Sequence, residues 1–214
     1  MRNVDSNEYL ARRIKRKGPI FIRGYFPTAK NQNSLYFESY LELAALLRYE
    51  NDPNIMFIDS QPMSVCLTIA NRKTRYSPDL MLMDVMQNIK YVEVKPAEKL
   101  SKAKNKTKYD VIEEAFKKLG RQFTTFSNND VTQARLKNLE LLYQGASVYN
   151  NIAPELEGAI SVLPNVVSIE EAIHHLSTAE VDRNVLHYLL FNSYFTVDLD
   201  IPISNDSIIY SNIA

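Results

Sequence analysis

The chain has 214 residues, 45% hydrophobic and 23% charged, which is the composition of a globular protein sized for one large domain or a medium one with a small appendage. No run of about 18 apolar residues occurs, so nothing reads as a membrane span. The formal net charge of zero conceals a split: residues 1–149 carry 24 Lys/Arg against 16 Asp/Glu, and residues 150–214 carry 1 against 9. A basic body suits an anion such as nucleic acid, and an acidic end suits a different partner.

Residues 1–33 read as extended, with Gly18, Pro19, Gly24 and Pro27 breaking any helix. The run RRIKRK at 12–17 is dense in positive charge, and the N-terminus lacks the apolar core of a secretory signal. From Ser34, apolar residues at helical spacing predict a helix to about residue 50, ended by Asp52-Pro53. It carries Glu38 and Glu42 four apart, hence on one face. MSVCLTIA reads as a strand with Cys66 a small buried hydrophobe, and ANRK reads as a turn. A lone cysteine excludes an intramolecular disulfide and fits a reducing cytosol.

The stretch YSPDLMLMDVMQNIKYVEVKP, residues 76–96, reads as a hairpin. A turn centred on Met86 sets Met83 opposite Ile89, Met81 opposite Tyr91 and Asp79 opposite Glu93. The period of two then puts Asp79, Met81, Met83, Tyr91, Glu93 and Lys95 on one face. Opposed carboxylates about 5 Å apart at Cβ repel unless a cation lies between them, and oxygen ligands suit Mg²⁺ or Mn²⁺. Lys95 would hold a water or a phosphate oxygen. The alternative is a solvent-facing hairpin whose Glu93 and Lys95 form an ordinary surface pair.

Beyond it, lysines at 99, 102, 104, 106 and 108 make a second basic run. Residues from about 107 to 119 predict an amphipathic helix stopped by Gly120. RQFTTFS predicts a strand parallel to IKYVEVK across that helix. Asn128 or Asn129 would cap a helix to about Tyr143. The class is therefore α/β, a mixed sheet flanked by helices. Glu38 or Glu42 on the first helix supplies a candidate third carboxylate, and three carboxylates with a lysine suit metal-assisted phosphodiester cleavage.

Residues from about 20 to 145 resemble the TnsA family, the endonuclease subunit of heteromeric cut-and-paste transposons, whose fold is restriction-endonuclease-like (PD-(D/E)xK). The resemblance is carried by RGYFPTAKN, FESYLE, NIMFIDSQP, YSPD with YVEVKP, and GRQFTTFSNNDV with RLKNLELLY. It implies that Glu42 is the helix carboxylate that helps bind metal, Asp79 the central ligand and Glu93 the second sheet ligand. Lys95 would be the catalytic lysine, and the Val94 carbonyl would touch the metal. Glu38 would stand behind these, and Gln61 would brace the strand entry. It further implies a Mg²⁺-dependent endonuclease, with Mn²⁺ as substitute, that cuts one strand at the 5′ side of each transposon end. Its partners would be double-stranded DNA, a DDE transposase (TnsB) and an AAA+ regulator (TnsC), and its compartment the bacterial cytoplasm.

This reading gives an endonuclease domain over 1–149 with a basic N-terminal arm, and a small acidic domain over 150–214. In the latter, SIEEAIHHL with Ser168 as cap, a second short helix and FTVDLD suggest a winged-helix-like domain. Its acidity and single Arg183 favour a protein partner over DNA. His174, His175 and His187 read as helix-surface or core residues. A stand-alone restriction or repair nuclease of the same fold, and a non-catalytic adaptor that binds DNA or partners, remain open as alternatives.

Overall fold

The computed structural model of the chain describes residues 22–62, 64–69, 71–147 and 153–213. The basic run at 12–17 lies outside the described residues. The chain divides into two compact units, one of residues up to Leu43 with Ile55–Asn128, the other of Ala44–Asn54 with Asn129 onward.

The first unit opens on two short antiparallel strands, β1 (Gly24–Phe26) and β2 (Leu35–Phe37), with Phe26 opposite Leu35. The helix expected from residue 34 starts later, as α1 (Tyr40–Glu50). Leu35 and Phe37 are buried on either side of Tyr36, a strand alternation, and Ser39 then caps the helix by accepting the Glu42 N–H at 3.1 Å. Glu38 accordingly lies before the helix, so the expected pair of glutamates on one helix face does not form.

Then follow β3 (Ile55–Ser60), β4 (Val65–Ile69), β5 (Arg72–Tyr76), β6 (Leu80–Asp84), β7 (Ile89–Val94), α2 (Ala97–Leu100), α3 (Ala103–Lys118) and β8 (Gln122–Phe126). The main sheet runs β3-β6-β7-β8, antiparallel except for the parallel β7–β8 pair. It is the mixed sheet expected, with β3 added from the NIMFIDS segment. Among the described residues, strands β4 and β5 pair only with each other, as a separate ribbon turning at Asn71. Cys66 is exposed on this ribbon, not buried as expected, because its neighbour Leu67 takes the inward position.

Helix α3 starts at Ala103, four residues before the expected start, and places Tyr109, Ile112, Ala115 and Phe116 inward. With Leu67, Tyr91 and Phe123 these form one core under the β7 face that carries Glu93. The helix stops where the sequence predicts. Gly120 takes a left-handed φ of 68°, and the Arg121 N–H closes back on the Phe116 carbonyl at 3.1 Å.

In the second unit, α4 (Gln133–Ala146) is capped by Thr132, whose hydroxyl accepts the Arg135 N–H at 3.0 Å. Asn128, one of the two expected caps, instead accepts the Ala97 N–H within the first unit. Next come α5 (Ala153–Val162), β9 (Val166–Ser168), α6 (Ile169–Thr178), α7 (Val185–Phe191), β10 (Phe195–Thr196) and β11 (Ile208–Ser211). The three strands form an antiparallel sheet ordered β10-β11-β9. Ser168 caps α6 in a full capping box with Glu171, as its sequence signals. The segment between β10 and β11 is pinned to α4. Arg135 grips Asp200 with Nε and Nη2 at 3.0 and 2.5 Å, and the Asn138 side chain bonds the backbone of Leu199, Ile201 and Ile203.

Among the described residues no helix is long and apolar enough to cross a membrane.

Candidate active site

The hairpin register is the one its sequence predicts. Met83 faces Ile89, Met81 faces Tyr91 and Leu80 faces Val92. Asp79, one step outside the ladder, still donates its N–H to the Val92 carbonyl at 3.0 Å. The turn closes on Asp84, which accepts from the N–H groups of Met86 and Asn88. Asp79 is braced from the β3 side as well. Gln61, at a left-handed φ of 52°, donates its N–H to the Asp79 carbonyl at 2.8 Å.

Asp79 and Glu93 therefore meet at one end of the sheet, and Asp79 Oδ2 accepts the Val94 N–H at 2.8 Å. Burial pushes the Asp79 carboxyl up to about 6, and the neighbouring Glu93 charge adds to the rise against the Val94 N–H and Lys95. Glu93 is 5% exposed, which rules out the solvent-facing alternative. Its carboxylate is held by three donors. The Tyr109 hydroxyl lies 3.0 Å from Oε1, Lys95 Nζ lies 2.8 Å from the same oxygen, and the Tyr76 hydroxyl donates to Oε2. Burial and the Glu93 charge raise the pKa of both tyrosines, so each remains a neutral O–H donor.

Lys95 follows β7, and its N–H donates to the Phe126 carbonyl at 2.9 Å, which carries the β7–β8 ladder past Val94. Burial alone would lower its ammonium. The hydrogen bond and charge of Glu93, with Asp79 and Glu42 behind it, win, and its pKa lies above the ordinary lysine value. Lys95 thus stays cationic, with 38% of its side chain exposed.

Glu42 reaches the same electrostatic neighbourhood, since its charge is felt at both Asp79 and Lys95. Its carboxylate is engaged in the helix start. Oε2 accepts the Glu38 N–H at 2.7 Å and Oε1 the Ser39 hydroxyl at 3.2 Å. Burial raises its pKa against those two bonds. Among the described residues no three His, Cys, Asp or Glu side chains stand grouped as a ready metal cage. His174 and His175 are exposed on α6, and His187 is half-buried on α7.

Residues 52–128 match the family model described as the TnsA-like endonuclease N terminal. This segment is a TnsA-family endonuclease domain. The TnsA-like segment contains Asp79, Glu93, Val94 and Lys95, and Glu42 lies outside it. The mixed sheet flanked by helices fits the restriction-endonuclease-like fold. No curated protein matches the chain.

Tyr76 and Tyr109 are the site residues that sequence reasoning missed. Tyr76 stands at the edge of the quoted hairpin motif, and Tyr109 lies on the inward stripe of the predicted helix. The available signal was chemical: a buried carboxylate needs donors, and tyrosines are the amphipathic side chains on the elements that cover this face.

Proposed function

We propose that the protein is a metal-dependent DNA endonuclease that acts in transposition and hydrolyses one strand at the 5′ side of each transposon end. The observation that carries this reading is the convergence of Asp79, Glu93 and Lys95 at one sheet end within the TnsA-like segment.

The donors fit Mg²⁺. Asp79 and Glu93 are hard oxygen ligands whose mutual repulsion a cation would relieve, and the Val94 carbonyl is the natural third. Mg²⁺ commonly keeps several waters and needs only one or two carboxylates beside substrate phosphate. Glu42 is the proposed helix ligand, and its burial and charge reach Asp79. When bound, the metal lowers the pKa of the attacking water and stabilises charge on the scissile phosphate.

The chain's own residues do the rest. Lys95, cationic and half open to solvent, holds a phosphate oxygen or the water beside Asp79. Tyr76 and Tyr109 fix the Glu93 carboxylate, so its position is set before substrate arrives. Hydrolysis forms a bond from water oxygen to phosphorus and breaks the phosphorus–oxygen bond to the leaving strand; the attacking water loses a proton to solvent, and the leaving oxygen takes one from solvent to become a hydroxyl.

In the second unit, the order α5-β9-α6-α7-β10-β11 supports a winged-helix reading. Helix α7 buries Val185, Leu186, Leu189, Leu190 and Phe191, and the segment between β10 and β11 carries Asp198, Asp200 and Asp206 with no cation. Such a surface suits a protein partner better than DNA. A DDE transposase and an AAA+ regulator are the partners proposed for the assembly.

The test is Mn²⁺ binding by calorimetry on the wild type and on Asp79→Ala, followed by nicking of a transposon-end duplex with partner proteins present. Metal binding lost in Asp79→Ala, together with lost nicking, is expected. Metal-dependent nicking that survives the substitution would overturn the assignment. Cleavage that needs no partner would instead favour a stand-alone nuclease.

A further inference from the structure

The β4–β5 ribbon has a face that the catalytic constellation does not use. Leu67, 1% exposed, and Val65 root it in the core under α3. Its register sets Cys66 opposite Arg75 and Thr68 opposite Lys73, all four exposed on the outward face, with exposed Arg72 at the turn. From Ser64 to Pro78 the chain contains no Asp or Glu. Three cations in four residues thus stand on a ribbon with no acid of its own.

The charge continues beyond the ribbon. Lys108 Nζ lies 5.8 Å from the centre of the Tyr76 ring and 4.9 Å from that of Tyr109. Lys104 lies one turn earlier on the same helix face, also exposed. The ribbon ends on Tyr76, whose hydroxyl holds Glu93. A strand rises about 3.4 Å per residue, so Lys73 lies about 10 Å from that anchor, roughly three nucleotides along one strand of a duplex.

We propose that the β4–β5 ribbon is the surface on which the phosphate backbone of duplex DNA docks beside Asp79 and Glu93, with Arg72, Lys73 and Arg75 as its contacts and Lys108 extending the track. This rests on the nuclease reading above and names where its substrate lies. Ribbon cations contact phosphates and carry no sequence information, so the surface serves any duplex equally.

The test is binding of the full chain to a labelled duplex in EDTA, where no cleavage occurs, across a range of salt concentrations. Each lost phosphate contact lowers the slope of log K against log salt by about 0.9. Arg72→Gln should lower it by about 1 and Arg72→Gln/Lys73→Gln by about 2, for cognate and random duplexes alike. Lys117→Gln/Lys118→Gln, at the far end of α3, should leave it unchanged. All four positions are exposed, and unchanged urea midpoints would verify the folds. Wild-type binding with equal slopes in every variant would overturn the ribbon and leave the nuclease reading standing. A wild type that binds no duplex would also overturn the ribbon as a docking surface, and the nuclease reading would then be decided by the metal-binding and nicking test above.

Discussion

The hydroxyl of Tyr109 lies 3.0 Å from Glu93 Oε1, on a carboxylate 16 residues away in sequence and 5% exposed. A buried carboxylate is costly unless its oxygens are satisfied, and this bond is one of three that do so. Tyr109→Phe keeps the ring stacked near Phe123 and removes only the donor. A hydrogen bond to a charged group contributes about 1.5–3 kcal/mol, so the unfolding free energy should fall by that amount, read as a lower urea midpoint at unchanged slope. Nicking should weaken while the overall fold, read by circular dichroism, is retained. An unchanged midpoint would show that Tyr109 packs without holding Glu93.

Asp79 should separate stability from activity. Asp79→Asn keeps an oxygen for the Val94 N–H and removes the repulsion from Glu93. The variant should be as stable as the wild type or more so, and its nicking should fall by about 10²–10³ or more, the usual loss when one preorganised charge is removed. Thermal melts paired with a nicking assay would read both. A destabilised Asp79→Asn would argue that the carboxylate serves the fold.

Glu42 has two roles to separate, and Ser39 offers the control. Ser39→Ala removes the cap and should cost about 1 kcal/mol, with the nicking rate of the folded protein little changed. Glu42→Ala should cost a comparable stability and also the rate. Equal rates in both variants would leave Glu42 a capping residue only.

Acid should loosen the segment held by α4. Arg135 and the Thr132 hydroxyl hold the Asp200 carboxyl down to about 2, below its unfolded value of 3.8. Because the folded value is the lower one, the pair's contribution is complete above about pH 4 and disappears as pH falls through about 2. Asp200 is 45% exposed, so solvent screening keeps that contribution below about 1 kcal/mol. Asp200→Asn should flatten the corresponding part of the stability–pH curve. A curve identical to the wild type's would remove the pair from the account.

Gly145 on α4 is a packing test for the second unit. A Cβ added there would stand 2.0 Å from Nδ1 of His187, a nitrogen that is itself buried. Alanine gains about 1 kcal/mol in helix propensity, and the overlap costs up to about 3. A net loss of roughly 1–2 kcal/mol is expected in Gly145→Ala, restored in part by Gly145→Ala/His187→Ala. A stabilised single variant would show that His187 moves freely aside.

What the sequence made legible was whatever repeats with a period. Alternation fixed the Met83–Ile89 and Met81–Tyr91 pairs, and the helical stripe through Tyr109, Ile112 and Phe116 fixed α3 and hence the parallel β7–β8 step. Three-residue strands such as β1 and β2 are too short for a period to declare itself, and Leu35–Phe37 was absorbed into the helix that follows. The boundary was nonetheless written in Ser39-x-x-Glu42, a capping signature read at Ser168 and overlooked here. The β5 strand escaped because RKTRY has no apolar alternation, its cations lying in solvent. The tyrosine donors around Glu93 depend on long-range approach, which local pattern does not encode.

The three supports of Glu93 also bear on how the chain folds. Tyr76 comes from the ribbon, Lys95 from the end of the sheet strand and Tyr109 from the helix that crosses over to β8. A nascent or partly assembled chain can pair β6 with β7 while lacking the ribbon and helix donors. Its glutamate would then swing freely beside Asp79. On the proposed nuclease reading, cutting competence would be tied to the completion of assembly, and half-made molecules would be poor nucleases from the outset.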